Sequence, residues 1–375
     1  MTVRSAGKHR KSRPASRVRV GSRPRAKLLV PALAVIAAVT VASGGSTAVA
    51  ADNPNQTVIT VGGDPHGVAV DPDGKHAYVA SYADNALRVI DTASPRIVRS
   101  IHVGANPREV AVDPDSRHAL VTNYSENSVS VIDTASGKMI RKVAVGAGPT
   151  AIAIFPRDHY AFVTNYYGNT VSVINIANLT LVGTVPVGPQ PDGVAIDPRG
   201  EFAYVTNSGS NSLSVIDVHT QKVARTVMVG RSPQKVAIDP DGRHAYVTNF
   251  DDNNVSVIDL PTQLGVDFYK ALLKVNNTIP VGMHPRGLAV NRNSHRAYVV
   301  NVDSKTMSVI DTATSTLIGS SYVGNDPDEV AVAPDGTAYV TAREDGTVTV
   351  IPRSDYPDAP RPTRHDNPGI LPLDR

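Results

Sequence analysis

The chain has 375 residues, a formal net charge of +3, and neither cysteine nor tryptophan. Without cysteine it cannot form disulfides, thiolate metal sites, a thiol nucleophile or a c-type haem attachment. The charge is uneven, because ten Lys or Arg and no acidic residue lie within residues 1–51, which leaves 27 basic and 34 acidic residues elsewhere. That acidic balance, together with an aromatic content of 5%, argues against nucleic-acid binding, so we expect no nucleic-acid partner.

The first 50 residues have the order of a secretory signal peptide. A basic stretch leads into an apolar run over residues 28–42 and then into the small residues Ala48, Val49 and Ala50. The run contains Pro31 and is shorter than the roughly 20 residues that span a bilayer. We therefore predict a signal peptide over residues 1–50 and a short linker over 51–56. The mature protein would be secreted or held in the cell envelope; an uncleaved N-terminal segment, the alternative, would be its membrane contact.

A Val-Gly pair recurs seven times along the rest of the chain. Successive glycines are 42 residues apart, except for one spacing of 52, and a proline follows each glycine by three residues. The seven glycines are Gly62, Gly104, Gly146, Gly188, Gly230, Gly282 and Gly324. A period of this length is typical of the blades of a β-propeller.

Each repeat contains four short apolar segments separated by turn residues. In the second repeat they cover residues 110–112, 119–122, 129–132 and 138–145. Val and Ile dominate them, and β-branched side chains suit a pleated surface that is packed on both faces. The pattern predicts an all-β fold, a seven-bladed β-propeller with four antiparallel strands per blade, over residues 57–352.

The ends of the array indicate how the ring closes. The last repeat stops after its third apolar segment, while residues 57–61, which precede the first repeat, match a fourth segment. We expect this N-terminal strand to complete the last blade, because closure removes the open strand edges that favour aggregation.

The second segments spell a family signature. Residues 204–207 and 246–249 both read Tyr-Val-Thr-Asn, and the other five repeats carry near matches at the same place. In this the chain resembles the YVTN family of seven-bladed β-propeller repeat proteins, which includes lactonase-like and surface-layer propellers. A Trp-Asp propeller is excluded because the chain has no Trp.

Two segments depart from the repeat. Ten extra residues, 264–273, lie between the third and fourth segments of the fifth repeat, and we expect a helical turn that packs on its own blade or serves as a partner-binding knob. The tail, residues 353–375, is rich in proline, and we expect it to be disordered.

The two positions after each repeat proline differ from blade to blade. In the YVTN resemblance these loops surround the central channel, where ligands of such propellers usually bind. Variation inside a constant scaffold is where a site would be placed, and the charged residues there could hold an anion or pair an acid with a base. They could equally be solvated charges around a wet channel. The candidates for ligand binding are His66, Arg108, Glu109, Asp192, Lys235, Arg286, Asp328 and Glu329.

Other polar residues are better explained by structure than by chemistry. The loops after the second segments carry acids that could bind Ca²⁺, but they lack cation-loop spacing, so we expect no metal. His76, His118 and His244 share one repeat position and so lie in different blades as parts of the scaffold. No phosphate loop, dinucleotide fingerprint or Gly-x-Ser-x-Gly elbow occurs, and we expect no cofactor.

Two functions remain open. The preferred one is a non-catalytic binding module, a monomer that recognises a protein, glycan or small-molecule ligand. The alternative is a hydrolase or lyase with its site at the channel mouth, because the resemblance extends to phosphogluconolactonase-type lactonases and streptogramin lyases. Their motifs cannot be placed on this chain, and the Glu-x-His pair of the lyases is absent. The hypothesis of a lactonase therefore rests on the analogy of fold.

Overall fold

The computed structural model describes residues 48–50, 55–155, 160–261, 273–291 and 293–355. These residues form 29 β-strands and three short 3-10 helices, Ser208–Ser210, Phe250–Asp252 and Arg353–Asp355. Among them, no helix is long and apolar enough to cross a membrane.

The strands form seven antiparallel sheets, each with the order first, second, third, fourth. The first strands are β3 (Pro65–Val70), β7 (Pro107–Val112), β11 (Pro149–Phe155), β15 (Pro191–Ile196), β19 (Pro233–Ile238), β23 (Pro285–Val290) and β27 (Pro327–Val332). The second strands are β4 (His76–Ser81), β8 (His118–Asn123), β12 (Tyr160–Asn165), β16 (Phe202–Asn207), β20 (His244–Asn249), β24 (Arg296–Asn301) and β28 (Ala338–Ala342). The third strands are β5 (Ala86–Asp91), β9 (Ser128–Asp133), β13 (Thr170–Asn175), β17 (Ser212–Asp217), β21 (Asn254–Asp259), β25 (Thr306–Asp311) and β29 (Thr347–Ile351). The fourth strands are β6 (Arg96–His102), β10 (Lys138–Ala144), β14 (Thr180–Pro186), β18 (Lys222–Met228), β22 (Val275–Pro280), β26 (Thr316–Tyr322) and β2 (Thr57–Thr60).

The blades form a closed ring around the first strands. Each first strand packs against the first strand of the next blade, and β27 packs against β3. The predicted seven-bladed propeller is confirmed. So is the closing strand, because β2 pairs antiparallel with β29, with Ile59 opposite Val348. Ala48–Ala50 (β1) pairs with β2 as a fifth strand, which cleavage after Ala50 would remove.

The core lies between the faces of neighbouring blades. One cluster joins Tyr78 and Leu87 of the first blade to Val110 and Ile132 of the second, and six similar clusters follow around the ring. Second and third strands are buried on both faces, which explains their continuous runs of Val, Ile and Tyr. Each fully buried Val or Leu contributes about 1.5–3 kcal/mol, so packing between blades stabilises the ring.

The asparagine that ends the second strand binds the third strand of its blade. In the second blade, Asn123 donates to the hydroxyls of Ser128 and Ser130 and also accepts a hydrogen bond from the Gly104 amide (3.0 Å). A Cβ on Gly104 would lie 2.4 Å from the Asn123 side chain, so glycine is required there by close approach. The equivalent asparagines of the third to sixth blades are also buried and each donates to a serine hydroxyl of the third strand.

The threonine of the same signature joins each blade to the next. Thr206 accepts a hydrogen bond from the Gly193 amide of its own blade (2.7 Å) and donates to the Gln234 carbonyl of the following blade (2.6 Å). The four equivalent threonines do the same; they are Thr122, Thr164, Thr248 and Thr341. Ala80 and Val300 take this position in the first and sixth blades.

The insertion and both ends fall largely outside the described residues. The expected helical turn over 264–273 lies outside them apart from Leu273, which packs against the core beside Leu260. The predicted signal peptide lies outside them except for β1, and the tail is described only up to Asp355.

We predict that Thr206→Val destabilises the ring by about 1–3 kcal/mol, because the Gly193 amide and the Gln234 carbonyl both lose a buried partner. Chemical denaturation would measure the change in the free energy of unfolding. Thr206→Ser keeps the hydroxyl and is the matched control. Equal losses for Val and Ser would show that the methyl packing, and not the hydroxyl, matters at this position.

Candidate functional site at the channel mouth

A β-bulge in each first strand places the variable residues of the repeat. In the second blade Pro107 pairs with Asn123 and Val110 with Val121, so three steps on β7 oppose two on β8. Both bulge residues, Arg108 and Glu109, then line the same cavity, whereas a regular strand would send them to opposite faces. The same register shift recurs in all seven blades.

The bulge residues of six blades line a central cavity, which we call the channel mouth. The centre of a water molecule can occupy about 20 Å³ of it, within about 310 Å³ of empty space that includes its opening to solvent. The lining residues are Arg108, Glu109, Thr150, Asp192, Gln234, Lys235, Arg286, Asp328 and Glu329. Seven of the eight candidates from the sequence are among them, and the eighth, His66, contacts Asp328 beside the cavity.

Lys235 lies between two carboxylates from distant blades. Its Nζ is 2.5 Å from Oε2 of Glu329 and also contacts Glu109. Burial lowers the pKa of Lys235, but attraction to the two carboxylates outweighs burial and raises it. Burial, opposed by Lys235 and assisted by the repulsion of Glu109, raises the pKa of Glu329 to about 8. The Lys235 ammonium group therefore contacts both buried carboxyl groups, and the Glu329 carboxyl holds a proton at neutral pH.

A second network surrounds Asp328. Arg286 Nη1 donates to Asp328 Oδ1 (2.6 Å), and His66 Nδ1 lies 2.9 Å from Asp328 Oδ2. Burial raises the pKa of Asp328, but His66, Arg286 and Arg108 together outweigh burial and hold the pKa well below its usual value. The carboxylate is therefore a fixed anion that joins the sixth, seventh and first blades.

Arg108 and Asp192 differ from the other charges of the channel mouth. Across the part of the chain that the structure describes, neither side chain has a hydrogen bond or an ion pair within 4.0 Å. Asp192 is only 7% exposed, and Arg108 is half-buried. Burial lowers the pKa of Arg108, but attraction to Asp192 and Asp328 outweighs it and raises the pKa. Two opposite charges thus face the cavity without a partner.

Small residues make room between the charged ones. Gly67, Gly193 and Gly287 occupy the second bulge position in three blades, and Ala151 occupies it in the third blade. A Cβ on Gly193 would lie 2.5 Å from the Gln234 carbonyl oxygen, so the inner strands approach too closely there for any side chain. Glu109, Lys235 and Glu329 therefore meet across the space that the small residues leave.

Aromatic side chains stand above the channel mouth. The guanidinium of Arg108 lies 5.4 Å from the centre of the Tyr124 ring, and the Tyr124 hydroxyl donates to that of Tyr167 (2.8 Å). Arg286 lies 5.6 Å from the ring centre of Phe250. These aromatic residues were not among the candidates from the sequence. The sequence contained a pattern that could have identified them, because Tyr124 and Phe250 both directly follow the signature asparagine.

A model of the family described as "Lactonase, 7-bladed beta-propeller" matches residues 35–266, which is more than half of the chain. The chain belongs to this lactonase family. No curated protein matches it.

Two solved structures resemble this lactonase-family propeller. Hydrazine synthase of Kuenenia stuttgartiensis is 20% identical with a TM-score of 0.67, over 77% of this chain and 96% of that chain. A functionally unknown protein from Desulfotomaculum acetoxidans is 17% identical with a TM-score of 0.61, over 71% of this chain and 92% of that chain. At such identities the likeness shows the fold alone.

Acids and histidines elsewhere in the lactonase-family propeller have structural partners. Asp84 pairs with Arg88 (2.5 Å), and Glu126 pairs with Lys142 (2.5 Å). Each scaffold histidine bonds the aspartate that opens its turn, as His118 does with Asp113 (2.8 Å). Within the described ranges no group of three or more His, Asp or Glu could hold a metal ion.

The raised pKa of Glu329 predicts a pH-dependent stability. The folded state holds a proton that the unfolded chain releases near the ordinary value of 4.5, so this contribution is complete below about pH 4.5 and is lost as pH rises through about 8. Glu329→Gln, which mimics the neutral carboxyl, should gain stability relative to the parent between pH 5 and 9, as measured by thermal unfolding.

Asp252→Asn is the control for this measurement. The carboxyl of Asp252 has a pKa lowered by hydrogen bonds from Arg231, so the stability it supplies is lost only on acidification and the substitution gives a constant offset between pH 5 and 9. If the Glu329→Gln curve runs parallel to that of the parent over the same range, Glu329 is ionised in the folded protein.

Proposed function

We propose that this lactonase-family propeller is a binding module that holds a small polar ligand at the channel mouth. The observation that carries the proposal is the pair Arg108 and Asp192, whose side chains line the cavity without a hydrogen bond or an ion pair among the described residues. Buried polar groups normally have hydrogen-bond partners, and a bound ligand would supply them.

The remaining groups of the channel mouth favour binding over chemistry. Lys235 pairs with Glu109 and Glu329, and Arg286 pairs with Asp328, so these groups bind each other and leave no free charge for chemistry. Thr150 carries the one hydroxyl among the lining residues, and it already bonds Thr164 Oγ1 (2.8 Å) and the Asp192 carbonyl (3.1 Å). It therefore lacks the adjacent base that activates a nucleophile.

The proposal includes export of the protein. The basic stretch, the apolar run over residues 28–42 and the small residues at 48–50 support a secretory signal, which would deliver the propeller to the cell envelope or the medium. A binding module there would meet small molecules outside the cytoplasm.

A thermal-shift screen of the full chain against charged, hydroxylated and lactone compounds would test the binding function. A ligand at 100 times its dissociation constant should stabilise the fold by about 2.7 kcal/mol. We expect the shift to be lost in Arg108→Gln and in Asp192→Asn. It should persist in Arg117→Gln, an exposed residue paired with Asp115 on the face that carries the Asp-Pro turns. A shift that survives both cavity substitutions would place the ligand elsewhere.

Hydrolysis of a lactone is the second candidate function, and Glu329 is the observation that favours it. A carboxyl with a pKa of about 8 at the cavity could protonate a leaving oxygen at neutral pH. If so, ring opening of a lactone should fall as pH rises through about 8 and should be lost in Glu329→Gln, as followed by proton release in weakly buffered solution. Equal rates for the parent and Glu329→Gln would exclude this role.

A further inference from the structure

Thr150 of the third blade lines the channel mouth together with Arg108 and Asp192, and we call this part of the lining the third-blade sector. Thr150 and Ala151 lie between the second and fourth blades, which contribute Arg108 and Asp192. Every other charged residue of the mouth is held by an ion pair that crosses or rims the channel. The space above Thr150 is therefore flanked by one cation and one anion that do not reach each other.

The two flanking groups have complementary chemistry. A guanidinium presents a fork of N–H donors that matches a carboxylate, while a carboxylate only accepts hydrogen bonds and suits an ammonium group. The charged atoms of Arg108 and Asp192 are more than 4.0 Å apart, yet close enough for the Asp192 carboxylate to raise the pKa of Arg108. One small molecule with both charges could bridge the gap.

The net charge of the channel mouth selects against simple ions. Arg108, Lys235 and Arg286 supply three positive charges, and Glu109, Asp192 and Asp328 supply three negative ones, with the Glu329 carboxyl protonated at neutral pH. A ligand with a net charge would face the wrong partner on one side, because an anion at Arg108 meets Asp192 and a cation at Asp192 meets Arg108. A ligand with separated, balanced charges faces neither penalty.

Aromatic rings lie beside the Arg108 side of this sector. Tyr124 stacks on Arg108, and Tyr167, which is 65% exposed, packs edge-on against Tyr166 at a centroid distance of 5.3 Å. An exposed ring beside a buried charged pocket offers apolar contact to the part of a ligand that does not enter. The small cavity admits only a head group.

We propose that the ligand is an α-amino acid in its zwitterionic form, with its carboxylate on Arg108, its ammonium group on Asp192 and an apolar side chain against Tyr124 and Tyr167. This inference rests on the proposed binding function and specifies the class of ligand. Thr150 lines the site between the two charged residues, and the tyrosines select an apolar or aromatic side chain. Arg108 and Asp192 determine specificity by matching both charges at once.

Titration calorimetry of the full chain with three related probes tests the proposal. L-phenylalanine has both charges, N-acetyl-L-phenylalanine has only the carboxylate, and L-phenylalaninamide has only the ammonium group. We expect L-phenylalanine to bind about 10- to 100-fold more tightly than either single-charge probe, because each charged hydrogen-bond pair supplies that range. This comparison needs no variant and so does not depend on how a substitution affects folding.

The variants assign each charge to its residue. Arg108→Gln should weaken L-phenylalanine about 10- to 100-fold and leave L-phenylalaninamide nearly unchanged, while Asp192→Asn should weaken L-phenylalanine and spare the N-acetyl probe. Arg117→Gln is the matched control and should bind all three as the parent does. Equal affinity of the parent for L-phenylalanine and its N-acetyl form would overturn the proposal.

Failure of this inference is distinguishable from failure of the binding function. A ligand from the wider screen that needs Arg108, together with no binding of L-phenylalanine, would refute the zwitterion and keep the binding function. No ligand from the screen and no binding of the three probes would refute both.

Discussion

In five of the seven blades a threonine hydroxyl links one blade to the next, and the ring and its channel depend on this interaction. It satisfies the amide of the bulge in its own blade and donates to the bulge of the following blade, as Thr206 does between Gly193 and Gln234. A bulge leaves one residue outside the ladder, and a buried amide without a partner is costly. One side chain therefore stabilises the bulge and sets the spacing of the residues that face the channel.

The fixed bulges direct the variable residues after each repeat proline towards the channel mouth. Glu109, Lys235 and Glu329 come from three separate blades and meet at one ammonium group. Arg286, Asp328 and His66 join three consecutive blades in the same way. These networks tie the blades together across the channel and reduce its free space. In doing so they leave Arg108 and Asp192 as the groups that a ligand can reach.

Opposed environments give the carboxyl groups of the channel mouth different charge states. Asp328 is surrounded by cationic partners and stays ionised, whereas Glu329 shares a single lysine with Glu109 and retains its proton. The two residues are adjacent in the chain, so the difference comes from which neighbours the ring brings to each. Neutral and ionised carboxyl groups side by side are common at ligand sites and in acid catalysis alike. This is why binding and lactone hydrolysis are both testable here.

The propeller, its seven blades and its closing strand followed from the sequence, because the 42-residue period, the Val-Gly-x-x-Pro loops and the missing fourth segment are local patterns. The positions that line the channel followed too, since they vary from blade to blade at a fixed place after each repeat proline. The ion pairs of the channel mouth did not follow from the sequence, because residues such as Lys235 and Glu109 are 126 residues apart and meet only across a closed ring. Equally, the isolation of Arg108 and Asp192 depends on which charges find partners, and the role of Tyr124 depends on the loop that places it over Arg108. Repeats are encoded by near neighbours in the chain, whereas the channel is made by residues that only the ring brings together.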